Sequence, residues 1–466
     1  MEEKTKAEAL REALSYQPKH TAYVIDAQET AVSDAFCADY IAFLNACKTE
    51  RETAAFVKNL AAQAGFAPFD VKAQYAPGDR VYADIHGKAL ILCTFGTQPL
   101  SAGARIVASH IDSPRLDLKP NPLYEDAELA FFKTHYYGGI KKYQWTAIPL
   151  ALHGVVFRRD GSCVQVCVGE EPGDPQFVVT DLLPHLDRKQ GKKSLEDAVL
   201  GENLNLLIGS LPFGDKPESD AVKLNILRLL NEKYGIVESD FLSAELEIVP
   251  AFRATEIGFD RSLIGAYGHD DKVCAYPSIR AALAVTAPRL TSITVITDKE
   301  ETGSDGNTGL HSAYLAQFIE DIAAAQGLPG RDVLRASECL SADVNAGFDP
   351  IFPEVHDKRN AAYLNRGIVV TKYTGSGGKG STNDANAEFV FKVRALLDGA
   401  DVAWQIGELG KVDEGGGGTV AKYIANLGVE VVDVGVPVLS MHAPFEIVAT
   451  LDVYMAFKGF SAFLEK

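Results

Sequence analysis

The chain has 466 residues, with 45 lysines and arginines against 63 aspartates and glutamates, a formal net charge of −18. A molecule this acidic repels polyphosphate, which excludes nucleic acid as a partner class. Hydrophobic residues make up 47% and charged residues 23%, the balance of a folded globular chain, and at roughly 100–200 residues per domain its length fits two to three domains.

The opening MEEKTKAEAL is acidic and has no apolar run, so no secretory signal is expected. No stretch reaches the roughly 18 consecutive apolar residues of a membrane-spanning helix, and no membrane partner is expected. Thr49 followed by Glu52 has capping-box spacing ahead of TAAFVKNLAAQAG, which predicts a helix that stops near Gly65. VYADIHGKALILCTFG and ARIVASHID then read as strands running into polar turns.

Between about residues 120 and 250 the texture changes. HGVVFRRDGSCVQVCVG alternates like a hairpin turning at Asp160 and Gly161, and the polar DRKQGKKSLEDA follows. We expect a β-rich domain over 116–250, inserted between two parts, 1–115 and 251–466, of a catalytic domain. From Ile264 onward, SITVITD, CLSADV and VEVVDVGVPVL alternate with helical YPSIRAALAVTA and TVAKYIANLG. This is the pattern of an α/β fold with a mixed, mostly parallel sheet and helices on both faces. Cys37, Cys47, Cys93, Cys163, Cys167, Cys274 and Cys339 are scattered without a CxxC pair. They fit a reduced, cytoplasmic setting in which each is a small buried hydrophobe.

In an open α/β sheet, ligands bind beyond the carboxyl ends of the strands, so the polar residues after each apolar run matter most. His110 and Asp112 follow RIVAS, Glu300 and Glu301 follow SITVITD, Asp343 ends CLSAD and His442 follows PVLSM; Asp270 and Asp271 lie just before a helix. Singly, such residues are more often helix caps, turn formers or structural histidines. Together they offer two imidazoles and several carboxylates, a donor set for two divalent ions, with zinc favoured and cobalt or manganese tolerated. Two cations about 3.5–4 Å apart need a bridging carboxylate, and Asp270 is our choice. Of the adjacent Glu300 and Glu301, one can bind metal while the other takes a proton from the activated water. Asp112 is spaced to orient the His110 ring, although with Ser113 and Pro114 it could equally start a turn. GSGGKGST is not a phosphate loop, because Lys379 is followed by Gly380 rather than Ser or Thr. It reads as a flexible substrate loop carrying Lys379.

SHIDSPRLDLKP, DKEETGSDG, SADV and SMHAP, in this order and at these separations, resemble the motifs of the aspartyl aminopeptidase family. The resemblance runs from about residue 20 to the end. It implies a zinc-peptidase α/β domain interrupted by a β-rich domain that serves dimerisation or oligomerisation, and assembly as a tetrahedral homo-dodecamer. It implies His110 and Asp343 on one metal, Glu301 and His442 on the other, Asp270 bridging, Glu300 as general base and Asp112 supporting His110. LLPHLDR resembles a family loop whose histidine enters a neighbouring subunit's site, which makes His185 a substrate-binding candidate in trans. Where acidic-specific members carry a substrate-binding lysine, this chain has Thr371, and Lys372 next to it is the substrate-binding candidate, although neighbouring strand residues face opposite sides. A preference for acidic N-terminal residues is therefore doubtful, and neutral or apolar ones stay open. The implied activity is a two-metal aminopeptidase acting on short peptides. The same metals would also serve a carboxypeptidase or an N-acyl amino acid hydrolase, and a non-catalytic assembly protein with structural metals is a third reading.

Overall fold

The computed structural model describes residues 5–216 and 218–466; the acidic start of the chain, Met1 to Lys4, lies outside them. The early helices form where their caps dictate. Thr49 accepts a hydrogen bond from the Glu52 amide, the Glu52 carboxylate accepts from the Thr49 amide, and the helix Glu50–Gln63 follows. It ends ahead of Gly65, whose φ of +87° reverses the chain. Asp26 caps the preceding helix, Ala27–Ala46, which sends Phe36, Tyr40 and Phe43 into the core.

A nine-stranded sheet organises the larger body. At its centre Thr291–Thr297, Ala104–His110, Glu338–Ser341 and Glu430–Gly435 run parallel, side by side. Antiparallel neighbours, Ala89–Thr94 and Ile368–Thr371, flank them. Period-two alternation divides the apolar side chains between two cores. Ile106, Ala108, Val295 and Cys339 pack with Phe318 and Ile322 on one face; Val107, Ile296, Leu340 and Val432 pack with Phe460 and Phe463 on the other. Helices cover both faces, which is why these strands read as continuous apolar runs. Each large side chain buried this way contributes roughly 1.5–3 kcal/mol. Four parallel strands in register therefore open their carboxyl ends along one edge.

Residues 115–250 build a separate, wholly antiparallel sheet of seven strands. Its hairpin of Leu150–Phe157 and Cys163–Val168 turns where expected: Asp160 Oδ1 accepts from the Ser162 amide at 2.9 Å and Gly161 has φ +82°. Leu116, Phe132, Trp145, Leu152 and Ile248 form its core. At the junction with the nine-stranded body, the buried Arg115 guanidinium meets Glu50 at 3.2 Å, Glu247 at 3.2 Å and Asp117 at 2.8 Å. Buried charge is tolerated there because the fork is satisfied on every side.

The glycine-rich loop GSGGKGST is touched by a second glycine run, Gly415 to Gly418. A Cβ on Gly416 (φ +127°) would stand 2.5 Å from Ser376 Cα, so only glycine permits that approach. All seven cysteines are free thiols; five are buried, but Cys163 and Cys167 are exposed, against the expectation of a buried hydrophobe, because both sit on the outward face of the strand Cys163–Val168. Among the described residues, no helix is long and apolar enough to cross a membrane.

Candidate metal centre

Each of the four central strands delivers a donor to the same edge. His110 is the last residue of its strand, Glu300 and Glu301 follow Thr297 within four residues, Asp343 follows Ser341, and His442 lies seven residues beyond Gly435. Asp270 comes from the start of the helix His269–Ala284, where its own φ and ψ are non-helical and leave its carboxylate turned to the strand ends. Asp270 Oδ1 lies 3.1 Å from His110 Nε2, and Oδ2 lies 3.1 Å from His442 Nε2. Glu301 Oε2 is 3.5 Å from the same His442 nitrogen; Glu300 Oε2 and Asp343 Oδ1 are 3.9 and 4.0 Å from His110 Nε2. Gly435 lets the Asp343 backbone in: a Cβ there would stand 1.6 Å from the Asp343 carbonyl oxygen.

The surrounding bonds fix these side chains. Asp112 Oδ1 is 3.3 Å from His110 Nδ1, and its two oxygens also accept from the amides of Glu300 and Glu301, at 3.1 and 3.2 Å. The Asp112 carbonyl oxygen is closer still to His110 Nδ1, at 3.1 Å, so Asp112 orients the imidazole through main chain and side chain while its carboxylate holds the Glu pair. Tyr137 donates its hydroxyl to Asp112 Oδ2 at 2.8 Å, and the Arg115 guanidinium sits 4.1 Å from the Tyr137 ring centroid. The Gly139 carbonyl oxygen is 2.9 Å from His442 Nδ1. Glu446 accepts from the amides of Asp270 and His442 at 3.0 and 2.7 Å.

Tyr137, Gly139 and Glu446 escaped the sequence reading. Glu446 lies in a short apolar strand and looks like an ordinary alternating polar position, while Tyr137 and Gly139 reach the centre only through tertiary contact with the seven-stranded sheet. Tyr137→Phe keeps the ring on Arg115 and removes only the bond to Asp112. It is expected to cost roughly 10–100-fold in metal affinity or kcat, the usual effect of losing an outer partner of a metal ligand, with the thermal midpoint almost unchanged. Metal titration alongside thermal melting checks this.

The residues fit metal. Three groups of donors, His110/Asp270/Asp343, His110/Glu300/Glu301 and Asp270/Glu301/His442, each lie within 4.8 Å of one another. Glu301 Oε1 is buried without a hydrogen-bond partner. Burial pushes the carboxyls of Glu301 and Asp343 well above their ordinary range and lifts Glu300 to about 7. Burial also acts to raise Asp270, but bonds from the two imidazoles hold it below the usual carboxylate range. So much desolvated carboxylate in one place calls for cations.

The other substrate-binding candidates lie elsewhere. Lys372 and Lys379 both pair with Asp384, and Lys379 stands 3.7 Å from the Tyr373 ring centroid. Neither lysine lines the cleft over the metal centre, a cavity of about 470 Å3 walled by Val344, Leu409, Thr419, Lys422, Tyr423 and Met441. Thr371 is buried, its hydroxyl accepting from Asn345 Nδ2 at 2.9 Å. His185 is exposed on a loop of the 115–250 segment and is not among the residues lining that cleft.

Donors gathered at the carboxyl edge of parallel strands, with a cleft open above them, are what an α/β metallopeptidase requires, and that is the class this fold and site define. A family model described as aminopeptidase I zinc metalloprotease (M18) matches residues 43–464. A probable M18 family aminopeptidase 1 of Clostridium acetobutylicum is 50% identical over 430 residues, 91% of this chain and 92% of the relative. The crystal structure of an M18-family aminopeptidase from Thermotoga maritima matches with a TM-score of 0.93 at 44% identity, covering 97% of this chain and 100% of that one. The S. cerevisiae mApe1 dodecamer structure shares the fold, with a TM-score of 0.75 at 20% identity over 93% of this chain and 97% of its own. The chain belongs to the M18 family: it is a zinc metallopeptidase that removes N-terminal residues from peptides. The carboxypeptidase, N-acyl hydrolase and non-catalytic readings give way to this one.

Proposed function

We propose that this aminopeptidase works through two divalent ions, zinc first and cobalt or manganese as substitutes. His110 and Asp343 hold one, Glu301 and His442 the other, and Asp270 lies between. One observation carries this reading: the two oxygens of a single carboxylate, Asp270, face two different imidazoles at 3.1 Å each. When bound, the ions supply Lewis acidity toward the scissile carbonyl and toward water. Glu300 takes the water's proton and returns it to the leaving amine. Asp112 holds the backbone of the Glu pair and the His110 ring while this happens, so the base needs no reorganisation in the transition state. Stripping metal with a chelator, restoring ions singly and measuring amino acid release from dipeptides tests it; full activity with one equivalent per chain would refute the paired arrangement.

The cleft also supports a substrate class. Two divalent ions would offset the carboxylates of Asp270, Glu300, Glu301 and Asp343, which leaves Lys422 and the apolar Val344, Leu409 and Met441 to meet the substrate's N-terminal side chain. Those apolar walls suit an uncharged N-terminal side chain, whereas a charged one loses its hydration there with only Lys422 to pair it. Lys372 and Lys379, which share the single negative charge of Asp384 and lie outside the cleft lining, do not supply a second cation there. We expect kcat/KM for Leu or Met dipeptides to exceed that for Asp or Glu dipeptides by at least 10-fold, about 1.4 kcal/mol. A panel differing only in the N-terminal residue measures this.

We further propose homo-oligomeric association through the 115–250 sheet. The S. cerevisiae neighbour is described as a dodecamer, and Leu211, Phe213, Leu224, Leu229 and Leu242 of this segment are exposed, as interface side chains are before assembly. In such an assembly His185 is free to reach a neighbouring cleft. The mass of the particle in solution tests the association.

A further inference from the structure

A second group of metal-binding side chains lies away from the cleft, where the antiparallel sheet meets the helix Glu50–Gln63. His153 and Cys167 face each other across neighbouring strands of the Asp160–Gly161 hairpin, so both side chains leave the same face of the sheet. His153 Nε2 is 3.8 Å from Cys167 Sγ and 3.5 Å from Glu170 Oε1. On the other side of the ring, Nδ1 meets Glu52 Oε1 at 2.7 Å. The second Glu52 oxygen is fixed by the amides of Lys48 and Thr49, at 2.9 and 3.1 Å. His153 is 2% exposed, whereas Cys167 faces solvent and gives access.

We infer that His153 and Cys167 form the heart of a separate binding site for one zinc-like transition-metal ion, with Glu52, within 4.8 Å of both, orienting the imidazole and Glu170 joining as a donor once it leaves Lys48. Four physical points support it. Zinc bonds of about 2.0 Å to nitrogen and 2.3 Å to sulfur, in a tetrahedron, set ligand atoms roughly 3.3–3.6 Å apart, close to the spacings around Nε2. A carboxylate on the far ring nitrogen is the usual partner of a metal-binding histidine. Sulfur, imidazole and carboxylate together suit zinc or cobalt and not magnesium or calcium. Charge also balances. Glu52 and Glu170 face Lys48 and a protonated His153, and one divalent ion displacing the imidazole proton and the thiol proton leaves the group formally neutral.

Lys48 competes for Glu170 and not for His153 or Cys167: its ammonium holds the same Oε1 that faces Nε2, and a metal ion has to displace that contact. Its ammonium bonds Glu170 and also the carbonyl oxygens of Pro250 and Phe252, at 2.5 and 2.9 Å, which anchor it toward the junction. Burial works against a charged His153, but Cys167, Glu170 and Glu52 raise its pKa to about 12. The same negative surroundings attract a metal cation in the proton's place. A metal here ties the Leu150–Phe157 and Cys163–Val168 strands to the cap of the helix Glu50–Gln63, across the junction that Arg115 also spans.

None of the donors placed around the cleft is a thiol, so a thiolate-to-cobalt charge-transfer band in the near ultraviolet reports this second site alone. The full-length protein is stripped with a chelator and titrated with Co2+. We expect the band to appear and saturate at one thiolate-bound ion per chain. It should vanish in Cys167→Ser and His153→Gln and persist in Cys163→Ser, the exposed thiol four residues away on the same strand. It should also persist in Asp270→Asn, which keeps the outcome separate from that of the catalytic reading. No band in the wild type, or a band that survives Cys167→Ser, overturns the proposal.

Discussion

Replacing Glu300 with glutamine is expected to lower kcat by roughly 10²–10⁴-fold while KM and bound metal stay near the wild type, the range expected when a positioned general base is lost. Glutamine matches the shape of glutamate, and the residue's amide stays on Asp112 Oδ1. The substitution therefore removes one property, the capacity of the side chain to accept a proton. The Glu300 carboxylate lies 3.9 Å from His110 Nε2, next to the position a water would take between the donors and outside direct contact with the ring. Steady-state kinetics on a leucyl dipeptide, with metal content measured on the same sample, separates the outcomes. Turnover at the wild-type level would remove Glu300 from the mechanism, and lost metal with lost turnover would make it a ligand instead.

Asp270→Asn should have the larger effect on metal. Asparagine keeps one acceptor oxygen for one imidazole side and presents an amide to the other, so the bridge and its negative charge disappear together. The amide of residue 270 remains free to bond Glu446, and the fold is expected to survive. Activity should fall by more than the roughly 10–100-fold typical of outer partners, and at least one of the two ions should be lost on dialysis. Two tightly held equivalents in this variant would show that Asp270 does not bridge. The pair of substitutions thus assigns the two carboxylates different work: Asp270→Asn removes ions, and Glu300→Gln spares them.

Much of this centre is legible along the chain because a parallel sheet imposes a simple rule. Apolar strands end, and the first polar residues after them face the ligand. His110, Asp343 and the Glu300–Glu301 pair obey it within four residues of their strands. Asp112, readable in the sequence as a turn former or as an orienting carboxylate, stands against His110 and accepts from Tyr137 and from the amides of Glu300 and Glu301. Lys372 and Lys379 are the counter-example. Lys372 stands next to the position where the resemblance places a substrate lysine and Lys379 lies in the glycine-rich loop, yet both pair with Asp384 and neither lines the cleft.

The chain's periodicity alone determined the α/β class, the capped helix at Thr49, the Asp160–Gly161 hairpin and the set of strand-end donors, since each depends on residues within a few positions of one another. Asp270 is chosen as the bridge from its chemistry, but only the tertiary structure decided which oxygen meets which imidazole, that Tyr137 at the end of an antiparallel strand and Gly139 just after it buttress Asp112 and His442, and that His153 and Cys167 meet Glu52. Those contacts join segments brought together by the burial of shared cores, and their partners are set by three-dimensional packing that no local pattern records.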